Sequence, residues 1–104
     1  MFFVYILHSQ RDQGLYIGCT SDLKRRLFQH QLGEARATAS RRPLRLIYYE
    51  AYILEEDAMG RERFLKSGSG RRFIDKQLRH YSIQHPRRES SNPNSLTEES
   101  KNLA

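Results

Sequence analysis

All eleven aromatic residues of this chain, six tyrosines and five phenylalanines, stand at or before Tyr81. That asymmetry sets where a core can form. From His85 onward the sequence reads "HPRRESSNPNSLTEESKNLA", with Leu96, Leu103 and Ala104 as its only apolar side chains. Ordering a residue costs about 1–2 kcal/mol of conformational entropy, and such a segment buries too little surface to offset it. Residues 84–104 are therefore expected to form a disordered polar tail. Residues 1–83 are expected to form one domain, since 104 residues leave no room for a second core.

Charge follows the same division. The chain carries +6, and the tail adds nothing, because Arg87, Arg88 and Lys101 balance Glu89, Glu98 and Glu99. Seven basic residues (Lys24, Arg25, Arg26, Arg36, Arg41, Arg42 and Arg45) lie between positions 24 and 45, against the single acid Glu34. One sign concentrated in one region points to a polyanionic partner, most often nucleic acid. An acidic membrane surface would attract the same charges, but the sequence shows no long apolar span, signal peptide or lipidation motif. The single cysteine, Cys19, excludes an internal disulfide framework and a four-cysteine zinc site. A cytoplasmic location is expected.

The pattern predicts a small α/β (α+β) domain with a three-stranded, mainly antiparallel sheet flanked by helices. "FFVYIL" (2–7) and "LYIGC" (15–19) read as strands of a hairpin joined by a polar loop ending at Gly14. A helix follows at about 22–32, with Thr20 or Ser21 as N-cap and Gly33 as terminator. The basic stretch 34–43 reads as a loop or short helix. "LRLIYYEAY" (44–52) is a third strand. Helical spacing resumes over about 54–67, weakened at Gly60, and a last helix runs from about Gly70 to Tyr81.

Several residues break the pattern of an ordinary core. In the first helix Leu23, Leu27 and His30 fall at i, i+4 and i+7, the spacing of a buried stripe. His30 is polar, and Arg26 lies one turn before it. In the next long helix Leu54, Ala58, Glu62 and Leu65 share a stripe, and a carboxylate there needs a partner or a metal. Tyr5 and Tyr16 sit mid-strand in the hairpin. Each has an ordinary explanation on its own: a satisfied histidine, a surface ion pair, packing phenols. Together they supply a proton carrier, a phosphate-binding guanidinium and a hard-metal ligand, which suits phosphodiester hydrolysis.

Over residues 1–82 the chain resembles the GIY-YIG nuclease domain. The second signature triplet stands as Tyr16-Ile17-Gly18. The first is degenerate, Phe3-Val4-Tyr5, and keeps only its tyrosine. Arg26, ten residues past Tyr16, matches the family arginine. His30 matches a position held by tyrosine or histidine, and Glu62, within "GRERFLKSGSGRRF", matches the metal-binding glutamate. "RRPLRLIYYEAY" is most similar to the small stand-alone, single-domain branch, which is related to the GIY-YIG nuclease domain of the excinuclease and to Slx-type endonucleases. The resemblance implies a structure-directed DNA endonuclease, with a place in repair or recombination. It implies one Mg²⁺ or Mn²⁺ on Glu62, a phenol acting with His30 on the attacking water, and Arg26 on the phosphate. Which of Tyr5, Tyr16 and His30 is the base stays open. Lys24, Arg25, Arg36, Arg41, Arg42 and Lys66 are the expected backbone contacts, with "SGSGRR" (67–72) weighed as an anion-binding helix start against a plain turn.

Two other readings compete. One is a binding module on the same fold without useful turnover, its affinity falling steeply with salt. The other is a cysteine hydrolase using Cys19 and His30, which needs a thiol of lowered pKa.

Overall fold

The computed structural model describes residues 1–87, and the portion of the expected tail from 88 onward lies outside them. Strands β1 (Phe2–Ser9) and β2 (Leu15–Thr20) form the hairpin. Helix α1 (Leu23–Leu32), a 3₁₀ turn (Ala39–Arg41) and strand β3 (Leu44–Tyr52) follow. The chain closes with α2 (Glu55–Leu65), α3 (Gly68–Gln77) and α4 (Arg79–Gln84). The sheet is antiparallel throughout, in the order β2-β1-β3, so the central strand is the aromatic run at the N-terminus.

Strand β1 is buried on both faces, and its period-2 alternation splits the core in two. Val4 and Ile6 pack with Ile17, Ala58, Leu65 and Ile74 beneath α2 and α3. Tyr5 and Leu7 pack with Leu44, Leu23 and Leu27 beneath α1. The hairpin loop is held by side chains. Ser9 Oγ accepts from the amides of Arg11 and Asp12 and donates to the Arg41 carbonyl, while Asp12 accepts from the Gly14 amide.

Four local expectations need correction. The N-cap of α1 is Asp22, whose Oδ1 accepts from the Arg25 amide at 3.1 Å; Thr20 instead supports the Asp22 amide. Leu54 is an exposed N-cap, so the buried stripe of α2 reduces to Ala58 and Leu65. Helix α3 starts inside "SGSG", because the Ser67 hydroxyl caps the Gly70 amide at 3.1 Å. The single helix expected over 70–81 is two, broken at Leu78 (φ −108°, ψ 36°). The break leaves Tyr81 placed to meet His8 Nδ1 at 2.7 Å, and His85 stacks on Tyr81 at 4.6 Å. Arg87 pairs with Asp75, so that residue of the expected tail also contacts the domain.

Candidate active site

The register of the hairpin builds the site. Tyr5 pairs with Gly18 and Leu7 with Tyr16, which puts both phenols on the α1 face of the sheet with ring centroids 6.3 Å apart. Helix α1 lays Leu23 and Leu27 on that face. His30 completes the stripe and is 1% exposed. Its Nε2 lies 2.8 Å from the Tyr5 hydroxyl oxygen, and its Nδ1 lies 2.6 Å from Thr38 Oγ1. The Tyr16 ring stands edge-on to the imidazole at 5.2 Å. A Cβ on Gly18 would fall 2.5 Å from the Tyr5 oxygen. The glycine of "YIG" is therefore the space the opposite phenol occupies.

Charge is arranged around that phenol. Arg26, partly exposed on the same helix, donates to Gln29 Oε1 at 3.0 Å. Its pKa is raised, first by hydrogen bonding to Tyr5 and further by Tyr16. Tyr5 is pushed up to about 12 because desolvation outweighs the opposing pull of Arg26. His30 is pulled down by burial and then by the Arg26 charge. Near pH 7 the site thus holds a neutral imidazole, a protonated phenol and a permanent cation.

These shifts predict an acid-side loss of stability. His8, also 1% exposed, is pulled down by burial as well. Below the ordinary histidine value of about 6.5, the unfolded chain takes up protons that the folded chain refuses, so stability must fall as pH falls. Denaturant titrations at pH 7.5, 6.5 and 5.5 should show a steadily decreasing midpoint. A midpoint that rises toward pH 5.5 would contradict buried neutral histidines.

Glu62 comes from the other side. Helix α2 packs on the opposite face of the sheet from α1. The Glu62 carboxylate meets Lys66 Nζ at 3.0 Å, and its charge contributes to the raised pKa of both Tyr5 and Cys19. The Glu62 charge thus reaches the phenol cluster from α2. No group of three or more His, Cys, Asp or Glu gathers among the described residues. A single carboxylate suits Mg²⁺ or Mn²⁺, a hard ion that keeps several waters and takes substrate phosphate oxygens as ligands.

The basic residues divide in two. Lys24, Arg25 and Arg36 are exposed. Arg41, Arg42 and Lys66 have partners within the fold. Arg41 grips Asp12 at 2.7 and 3.2 Å and holds its carboxyl down to about 2. Arg42 donates to the carbonyls of Ala39 and Gln31, and its guanidinium covers Gly33, the φ +81° terminator of α1. The "SGSG" stretch is the N-cap and first turn of α3, with Gly70 pressed against the backbone of Phe64 and Leu65. Arg61, which sequence reasoning weighed only as a partner for Glu62, clamps Glu50 at 2.9 and 3.0 Å and lies over the Phe73 ring at 4.4 Å.

Cys19 does not join His30. It packs in the α2-side cluster, and burial pushes its thiol up, away from thiolate character. Thr38 was not foreseen. It is fully buried, and nothing in "EARATASRRP" marks one threonine as the partner of an imidazole eight residues earlier.

Two phenols on one face of a three-stranded sheet, with a histidine and an arginine on the helix that covers that face, define a class. Residues 1–75 match the family model "GIY-YIG catalytic domain", and the chain belongs to that nuclease family. It is similar to UPF0213 proteins, small stand-alone members of the family. One from Streptococcus pneumoniae serotype 4 is 42% identical over 65 residues, covering 62% of this chain and 65% of the relative. One from Pediococcus acidilactici is 42% identical over 71 residues, covering 65% and 71%. This chain thus spans about two thirds of the length of these relatives. The solution NMR structure of a UPF0213 protein from Bacillus halodurans is 34% identical, covers 83% of this chain and 88% of that one, and superposes with a TM-score of 0.45. Among the described residues no helix is long and apolar enough to cross a membrane.

Proposed function

We propose that this protein is a divalent-metal-dependent endonuclease that hydrolyses phosphodiester bonds in DNA, directed by DNA structure rather than by sequence. The observation that carries the reading is the buried Tyr5–His30 contact at 2.8 Å, with the Arg26 charge acting on both groups from the same helix as His30. Such a group can take a proton from a water while the adjacent guanidinium binds the phosphate that water attacks. Tyr16 stands edge-on beside the imidazole. Glu62 is the residue that would hold Mg²⁺ or Mn²⁺, which supplies charge neutralisation at the scissile phosphate and leaving oxygen. The exposed Lys24 and Arg25 share α1 with Phe28, which is 63% exposed, and Tyr49 on β3 is 54% exposed. Cations beside open aromatic rings suit backbone contacts and stacking on unpaired bases, which favours flapped, forked or branched substrates and a place in repair.

One observation favours a second reading. The Lys66 ammonium already holds the Glu62 carboxylate, and a domain that kept this pair would bind nucleic acid without cutting it. The two readings part in one assay. Labelled duplex, flap, fork and four-way-junction DNAs, with matched RNAs, are incubated with Mn²⁺, with Mg²⁺ and with chelator. Metal-dependent, chelator-sensitive cleavage of the branched DNAs is the expected result. Salt-sensitive binding with no cleavage under any metal would establish the binding module instead.

A further inference from the structure

We infer that the flank of α1 facing β3 is a binding surface for an unpaired DNA strand, with the Phe28 and Tyr49 rings stacking on its bases and Lys24 and Arg25 holding its phosphates. The inference deepens the nuclease reading above and rests on it for its substrate. It adds a second site, on the other side of the helix from Arg26.

Helix α1 has a flank on either side of its buried stripe. Lys24, Leu27, Phe28 and Gln31 follow i, i+3, i+4 and i+7, so they share one flank. The Gln31 amide donates to the Leu44 carbonyl at 3.0 Å, which turns that flank toward β3. Arg26 is off this row: it donates to Gln29 Oε1, and its charge acts on Tyr5 and His30. On the sheet, Tyr49 pairs with Tyr5 and so shares the face that α1 covers. The helix packs over Tyr5 and Leu7 and leaves the Tyr49 end open. There Phe3 meets the Tyr49 ring edge-on at 6.2 Å. Phe3 stands where a Gly-Ile-Tyr triplet has glycine, so the ring that backs Tyr49 comes from the degeneracy of that triplet. Two open grooves join at Lys24 and Leu27. One, of about 470 Å³, runs past Phe3 and Tyr49; the other, of about 540 Å³, runs past Phe28. Each has more room than a nucleobase fills.

Charge decides what fits these grooves. Lys24 and Arg25 are exposed, and among the described residues neither is in an ion pair. Asp22, the acid that lines both grooves, has its Oδ1 committed to the Arg25 amide. The rim therefore offers ammonium and guanidinium groups to an anion. Phe28 and Tyr49 are both more than half exposed beside them. A second copy of this chain seated here would set Lys24 and Arg25 of one against those of the other, on a chain that already carries +6, and like charges oppose that association. An unpaired strand supplies both complements at once: phosphates for the cations and free base faces for the rings. A duplex supplies only the first, because its bases stack on one another.

The test is equilibrium binding to the full chain by fluorescence anisotropy, in chelator so that metal-dependent cutting is silent. The probes are a labelled oligothymidylate of about twelve nucleotides and an abasic strand of equal length and charge. Wild type should bind the oligothymidylate about tenfold tighter than the abasic strand. Phe28→Ala and Tyr49→Ala should each weaken oligothymidylate binding about fivefold or more, with abasic binding and circular dichroism unchanged. Lys24→Ala should weaken both strands alike and lower the slope of log affinity against log salt by about 0.7. Ile83→Ala, which removes an exposed apolar side chain on α4, should change neither affinity. Equal wild-type affinity for the two strands overturns the inference, as does the wild-type ratio in a folded Phe28→Ala or Tyr49→Ala. Should a variant fail to fold, the wild-type comparison decides alone. Discrimination by a chain that cuts nothing would leave the inference standing and defeat the nuclease reading. Cleavage by a chain that binds both strands alike would do the reverse.

Discussion

Gly18→Ala should abolish cleavage while leaving a folded protein. The new Cβ would sit 2.5 Å from the Tyr5 hydroxyl oxygen and 2.6 Å from its Cζ, distances that side-chain carbons do not tolerate. Strand β2 is paired to β1 along its length and cannot retreat without breaking the hairpin ladder. The phenol must therefore move, and its 2.8 Å contact with His30 goes with it. Overpacking of this kind costs about 1–3 kcal/mol of stability. The catalytic effect should be larger, on the order of 10²–10³ in kcat, comparable to deleting a group that stabilises the transition state. Single-turnover cleavage, read beside thermal unfolding, separates the two effects. A Gly18→Ala protein with wild-type turnover would mean that the Tyr5 position does not matter.

Gly70→Ala should give the largest loss of stability. Its Cβ would meet the Phe64 carbonyl oxygen at 1.9 Å and the Leu65 Cα at 2.5 Å. Both are backbone atoms of α2, so no rotamer change relieves the contact. Helices α2 and α3 would have to separate, opening the core around Leu65 and Ile74. A loss above about 3 kcal/mol is expected, which at about 4–8 °C per kcal/mol for a domain of this size lowers Tm by more than about 12 °C. Gly60→Ala is the matched control. Its Cβ meets nothing closer than Arg63 Nη2 at 3.8 Å, and alanine in a helix interior should add about 0.5–1 kcal/mol. Equal Tm values for the two variants would contradict the close helix packing.

These two glycines mark what a sequence can and cannot disclose. The hairpin, the three strands and the α1 stripe follow from local periodicity, so Tyr5, Tyr16, Arg26 and His30 could be set on facing surfaces from the sequence alone. Gly18 stood in the "YIG" triplet, but its reason is a phenol thirteen residues earlier, visible only once the register is known. Thr38 carries no periodic signal; its role is set by a neighbour brought in from another element. Arg41 and Arg42 read as free cations because composition counts charge but not partners, and Asp12 and the carbonyls of Ala39 and Gln31 take them up. The break at Leu78 was hidden for the same reason, since its consequence is the Tyr81 contact with His8 on a distant strand. Glu62 was placed on an apolar stripe by spacing, and its pairing with Lys66 one turn on is what the fold adds.

The most direct test of the account compares wild type with Glu62→Gln and Arg26→Ala on a labelled flap DNA, in Mn²⁺ and in chelator, with circular dichroism recorded for each. Glu62→Gln removes the charge that would hold the metal, and Arg26→Ala removes the cation at the phosphate. Wild type should cut in Mn²⁺ and not in chelator, and each variant should lose about 10²–10³-fold in rate with an unchanged spectrum. Wild-type rates in both folded variants would contradict a site built from these two side chains and the Tyr5–His30 pair.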